Sequence, residues 1–172
     1  MIDEVQTGNG RTGTLYAYQQ FGIQPDVVST AKGLGGGLPI GAVIMGEKVQ
    51  NVLGYGDHGS TYGGNPVCCA GALSVIERLD DSFLSRVRRL SGYVFASLHG
   101  APGIESVSGL GLMVGIKTKA PAAEIVRECI NRGVLCLTAK DKVRLLPALN
   151  IPMEDLEFAV ETIKAVAAEL GG

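Results

Sequence analysis

The spacing of apolar residues changes character part-way along the chain. Over roughly the first 64 positions they form short runs set between glycines. Val27 and Val28 lead a β-branched run at 26–30 behind Pro25, and Ala42, Val43, Ile44 and Met45 lie between Gly41 and Gly46. Both runs predict strands. Met1 and Ile2 are apolar from the first residue, with no turn or capping chemistry ahead of them, so the chain reads as starting part-way through a domain. From Asn65 onward the period lengthens. Cys69, Ala72, Leu73, Ile76 and Leu79 recur at three-to-four spacing behind Pro66, which predicts a helix. A second amphipathic stretch covers 82–98, with Arg86, Arg88 and Arg89 on its polar side. One or two strands are predicted over 106–117, a helix over 122–132 stopped by Gly133, and strands over 134–137 and 143–146. Leu156, Ala159, Val160, Ile163, Val166 and Leu170 share one face of a final helix that ends at Gly171. The pattern predicts an α/β chain: part of a mostly parallel sheet with its linking helix over 1–80, then a smaller α+β domain over 81–172.

Composition narrows the function classes. Hydrophobic residues make up 46% of the 172, enough for a packed core. The 15 basic and 17 acidic residues are interspersed, so no basic stripe is present to neutralise the phosphates of a nucleic acid. No apolar run approaches the roughly 18 residues of a membrane helix, and the first residues lack the pattern of a signal peptide. Cys68, Cys69, Cys129 and Cys136 fit neither a metal-type C-x-x-C spacing nor a secreted staple framework. They predict reduced core thiols in a cytoplasmic protein without a metal site. Glycine is the outlier, at 25 residues, about twice the usual share.

Three glycine-rich segments also hold polar groups. The first is Asp-Glu-Val-Gln-Thr-Gly-Asn-Gly-Arg-Thr-Gly at 3–13. An acid at a strand end there is either a structural carboxylate capping a loop or the partner of something cationic. The second is Thr-Ala-Lys-Gly-Leu-Gly-Gly-Gly at 30–37. Lys32 precedes its glycines, so the segment is no Walker phosphate loop, and the lysine is either solvated or a functional amine. The third is Gly-Ser-Thr-Tyr-Gly-Gly-Asn-Pro at 59–66, either a plain N-cap loop or an anion cradle before a helix. Jointly, an acid at one strand end and a lysine at the next suit a cofactor with a basic ring nitrogen and an aldehyde, and pyridoxal phosphate has both.

In order and spacing, the three segments resemble the class III, ω-type aminotransferases. Leu137, Thr138 and Ala139 followed by Val-Arg-Leu-Leu-Pro-Ala-Leu-Asn at 143–150 are similar to the acetylornithine aminotransferases in particular. Closely related segments occur in ornithine and other ω-aminotransferases. The resemblance implies the C-terminal part of a fold-type I large domain followed by the small domain. It implies that Lys32 joins the cofactor aldehyde and shuttles the proton between the substrate carbon and the cofactor. Asp3 would pair with the ring nitrogen, Val5 would pack on a ring face and Gln6 would approach the ring hydroxyl, with Glu4 in the same cofactor-contacting group. Thr61 would bind the phosphate held by a neighbouring subunit of a homodimer, with Ser60 near the substrate. Arg144 would hold a carboxylate of glutamate or 2-oxoglutarate; without the family it reads as a surface arginine on an alternating strand. The implied reaction passes an amino group from N-acetylornithine to 2-oxoglutarate, as in arginine biosynthesis. The match spans the whole chain but only the C-terminal part of such an enzyme. The 172 residues are therefore expected to be truncated and to bind pyridoxal phosphate weakly, with little activity alone or as a non-catalytic remnant.

Overall fold

A computed structural model describes residues 1–172, which divide into two compact units, Met1–Ser85 and Arg86–Gly172. The boundary expected at 80/81 lies at the start of the helix through which this division runs, α2 (Asp81–Leu98).

The first unit is built on strands β1 (Ile2–Asp3), β2 (Val27–Thr30) and β3 (Ala42–Met45), in that order across the sheet. β1 runs parallel to β2, with Ile2 opposite Val28 and Asp3 opposite Ser29. β3 runs antiparallel to β2, so the sheet is mixed where a mostly parallel one was expected. The connection explains the difference. The connection between β2 and β3, residues 31–41, contains a 3-10 turn at Lys32–Gly35 and no crossover helix of the kind that usually returns a chain to a parallel neighbour.

Helix α1 (Pro66–Arg78) follows. The Asn65 side chain caps it, Oδ1 accepting from the amides of Val67 at 3.0 Å and Cys68 at 3.2 Å, and Pro66 fills the first turn, where an amide would be unpaired anyway. Of the stripe predicted to be buried, only Ala72 is. Leu73 is 60% exposed and Ile76 40%. The helix packs on the glycine turn at 32–35, which offers little side-chain surface to cover it. The approach is close: a Cβ on Gly36 would lie 2.9 Å from a Val75 methyl, and Gly36 itself sits at φ 59°.

The second unit holds a four-stranded antiparallel sheet in the order β4 (Ile104–Leu110), β5 (Met113–Thr118), β7 (Lys142–Leu145), β6 (Leu137–Ala139). Helix α3 (Ala122–Asn131) packs on β6, β7 and α4 (Met153–Leu170). Alternate residues of β5 and β7 (Val114, Ile116, Val143, Leu145) are buried, as the period-two pattern requires. Ile125 and Cys129 of α3 and Leu156, Val160, Ile163 and Val166 of α4 complete the core. The stretch predicted at 106–117 resolves into two strands joined at Gly111 and Leu112, with the glycine at φ 60°. The strand predicted at 134–137 begins only at Leu137, although Val134 and Cys136 ahead of it are buried.

Arg86, expected on the solvent side of α2, is half-buried. Its guanidinium donates to the carbonyls of Leu149 at 3.1 Å and Ile151 at 2.5 Å, closing the turn that leads into α4. All four cysteines are free. Cys68 and Cys69 are only half-buried, because α1 itself is poorly covered, whereas Cys129 and Cys136 are buried. The interaction of their two side chains pushes the Cys129 thiol up and the Cys136 thiol down from the ordinary thiol range. No helix is long and apolar enough to cross a membrane.

Candidate active site

Pairing of β1 with β2 places Asp3 and the residues after Thr30 at the same ends of neighbouring parallel strands. The chain leaves β2 through Ala31 and turns at Lys32, which adopts φ 50°. A lysine in the left-handed region is strained and persists only where its surroundings impose it. Leu34 N–H bonds to Ala31 O at 3.1 Å and Gly36 N–H to Gly33 O at 3.2 Å, which tightens the turn. The Lys32 side chain is exposed, and its amine makes no hydrogen bond or ion pair.

Asp3 and Glu4 diverge. Asp3 is exposed, and its Oδ1 accepts from Val5 N–H at 2.9 Å, which leaves Oδ2 toward solvent. Glu4 is 1% exposed. It accepts from Tyr18 N–H at 2.9 Å and from the Thr7 hydroxyl at 2.5 Å, while its own amide donates to Ser29 O at 2.8 Å. The second carboxylate thus faces inward and anchors the loop at 4–21, while the first remains outside. Val5 is half-buried and Gln6 exposed on that loop. Burial pulls the Arg11 guanidinium below its ordinary range.

Asn9 lies between Gly8 and Gly10 in the first glycine-rich segment, where the sequence pattern assigns it no role. It sits at φ 55° and is 5% exposed. Its Nδ2 donates to Thr30 Oγ1 and to Ala31 O, both at 3.1 Å. Its Oδ1 is buried without a partner. A signal was available: asparagine tolerates the left-handed backbone that a glycine-flanked turn demands.

Ser60 and Thr61 lie in a stretch, 50–67, that is exposed throughout. Ser60 O accepts from Gly63 N–H at 3.3 Å, and Tyr62 O from Asn65 N–H at 3.3 Å, so the hydroxyls ride on short turns just ahead of the capped α1. Arg144 belongs to the second unit. It lies on β7 opposite Gly115 on one side and Leu137 on the other, and is half-buried. It lines a cavity of about 480 Å³ with mostly apolar walls, among them Leu137, Leu146 and Phe158, and with Asp155 as the other charged lining residue.

The donor set of the first unit suits pyridoxal phosphate. An unengaged primary amine is available for an aldehyde, a carboxylate at the adjacent strand end for a protonated ring nitrogen, and two hydroxyls on turns for phosphate oxygens.

The Aminotransferase class-III family profile matches residues 1–167. An acetylornithine aminotransferase of Haemophilus ducreyi is 49% identical over 99% of this chain and 44% of its own length. That of Methanothermobacter thermautotrophicus is 41% identical over 99% of the chain and 45% of its own length. Among solved structures, an ornithine delta-aminotransferase of Plasmodium falciparum superposes with a TM-score of 0.88 at 32% identity, over 98% of this chain and 47% of that one. An N-acetylornithine aminotransferase of Stenotrophomonas maltophilia gives 0.83 at 34% identity, over 97% and 46%. The chain therefore spans less than half the length of these relatives. With the three glycine-rich segments in place on one structural unit and the profile matching nearly end to end, the chain belongs to the class III aminotransferase family.

Proposed function

We propose that this chain carries the reactive amine and the ring-nitrogen carboxylate of a pyridoxal-phosphate-dependent acetylornithine aminotransferase, acting as a cytoplasmic homodimer. The observation that carries the reading is the placement of Asp3 and Lys32 at the ends of paired parallel strands, with Lys32 held at φ 50° and its amine unengaged. Relatives bearing the acetylornithine aminotransferase name, at 38–49% identity, support the choice of amino donor.

When bound, pyridoxal phosphate supplies a carbonyl for the substrate amine and a π-system that absorbs the electrons left by a departing α-proton. The chain's own residues do the rest. Lys32 Nζ would hold the cofactor's aldehyde between turnovers and, once displaced by the substrate amine, would carry a proton between the substrate α-carbon and the former aldehyde carbon of the cofactor. Asp3 Oδ2 keeps a proton on the ring nitrogen by pairing with its positive charge. Val5 supplies apolar surface to one ring face, and Gln6 a hydrogen bond to the ring hydroxyl. Glu4 is too deeply engaged with Tyr18 and Thr7 to reach a ligand and acts by fixing the loop. Thr61 serves the phosphate of a second copy, with Ser60 beside the substrate; the fully exposed stretch that carries them suits a surface covered by another subunit. Arg144 grips a carboxylate of the substrate or of 2-oxoglutarate, for which its planar fork is suited.

Incubation with pyridoxal phosphate, borohydride reduction and peptide mapping tests the reading. The label should lie on Lys32 and vanish with Lys32→Ala; a label spread evenly over the exposed lysines would refute it. A second donor, ornithine itself, is favoured by the ornithine aminotransferase structures that superpose at TM-scores of 0.86–0.88. Turnover with ornithine against N-acetylornithine decides between the two.

A further inference from the structure

We propose that Asn9 is a positioning residue for Lys32, fixing the peptide from which that lysine projects; the proposal rests on the role assigned to Lys32 above. Asn9 bonds across the fold to the last residue of β2 and to the carbonyl of Ala31, the residue immediately before Lys32. A buried amide oxygen without a donor is unfavourable, and Asn9 Oδ1 is one. What holds the carboxamide in place is therefore its nitrogen. Turning the amide over would set its oxygen against Ala31 O, which can only accept.

The bonds land where the backbone is under strain. Lys32 sits at φ 50°, and pinning the preceding carbonyl restrains the peptide on which that angle depends. Asn9 lies on the loop that leaves β1 just after Asp3. Its side chain thus ties the segment following the carboxylate to the segment preceding the amine. A residue able to do this must tolerate φ 55° and carry two amide hydrogens on a short stem, and asparagine meets both conditions.

The test uses the 172-residue chain with pyridoxal phosphate and borohydride. The Nζ of a lysine adds to the aldehyde carbon with loss of water. Hydride then reaches that carbon and solvent supplies the proton to nitrogen, leaving a stable secondary amine. Label on Lys32 is read by mass spectrometry against label on Lys48 in the same sample. Lys48 is an exposed amine paired with Asp26, and it serves as the internal reference. Asn9→Gly keeps the backbone conformation without the side chain, and Asn9→Asp keeps the shape without the amide hydrogens. In both, the Lys32-to-Lys48 ratio should fall about fivefold or more. Thr30→Val removes one of the two acceptors while preserving shape and should give a smaller fall. Loss of fold would also lower the ratio, so the variants are compared where far-UV circular dichroism and the urea midpoint show them folded; a parental ratio in folded Asn9→Gly and Asn9→Asp, or a fall that only tracks the unfolded fraction, would overturn the proposal. A parent that labels Lys32 no better than Lys48 would overturn the Lys32 role, and this proposal with it. A parent selective for Lys32 with equally selective variants would overturn the positioning alone.

Discussion

Neighbouring carboxylates at the end of β1 should fail in different ways when altered. Glu4 is 1% exposed and bonded to Tyr18 N–H and the Thr7 hydroxyl, whereas Asp3 is exposed with one local bond to Val5 N–H. Glu4→Ala removes two hydrogen bonds to a charged group, each counting for about 1.5–3 kcal/mol, and strands a backbone donor. Some recovery follows because Tyr18 and Thr7 are half-buried and can reach water, so the expected loss is about 3–4 kcal/mol. Glu4→Gln keeps an acceptor for one of the two donors and should lose about 1–2 kcal/mol. Asp3→Asn should change stability by less than about 0.5 kcal/mol, the usual range for an exposed position. Urea unfolding followed by far-UV circular dichroism gives these values, and hydrogen exchange at Tyr18 N–H locates the damage in the loop at 4–21. The same three variants, reduced with borohydride in the presence of pyridoxal phosphate, should show the reverse order, with Asp3→Asn the most impaired in labelling among those that remain folded. Parental stability in Glu4→Ala, or an Asp3→Asn loss as large as that of Glu4→Ala, would refute the division of labour.

Four further outcomes are expected. Gly103→Ala should unfold the second unit, with a loss above about 4 kcal/mol, because the added Cβ would lie 1.8 Å from Ala167 O at φ 77°. Gly100→Ala, at φ 73° with open space around it, should lose only about 1 kcal/mol, and a calorimetric scan of both variants checks the contrast. Arg132 binds Glu128 and Glu169 and holds both carboxyls below their ordinary value of 4.5. A carboxylate depressed in the fold adds stability above its unfolded value and loses it as the pH drops below. The gap in melting temperature between the parent and Arg132→Met should therefore be full above pH 4.5 and shrink as the pH falls through it. Arg86→Met should lose about 2–4 kcal/mol by freeing the carbonyls of Leu149 and Ile151, read from the denaturant midpoint.

Much of this was legible in the sequence, for physical reasons that can be named. Glycine and proline punctuate the chain where the backbone turns, so the ends of β2, β3, α1 and α3 fall within a few residues of where the pattern put them. The glycine-rich segments stood out because few side chains compete there with the polar groups that matter. Other features depended on partners far away in sequence. The direction of β3 goes with a connection at 31–41 that holds no crossover helix, which apolar periodicity does not report. The exposure of Leu73 and Ile76 reflects how little surface a glycine turn offers a helix. Arg86 carries the signature of a solvated helix face, and only the carbonyls of 149–151 reveal otherwise. At Asn9 the sequence signals a left-handed turn residue, but what its side chain holds depends on the distant acceptors at Thr30 and Ala31.

β1 is only two residues long, and its ladder to β2 rests on the pairs Ile2–Val28 and Asp3–Ser29. A slip of one position would exchange its faces, turning Asp3 inward and Glu4 out. Both residues are acids, so charge alone would not detect the error. What separates the two arrangements is reach: the longer Glu4 side chain meets Tyr18 N–H and the Thr7 hydroxyl, while a shorter carboxylate directed inward stops one methylene sooner. The pair of bonds made by the buried Glu4 thus acts as a key cut for glutamate, and Asp-Glu in that order is a message that only one alignment of the strand can read.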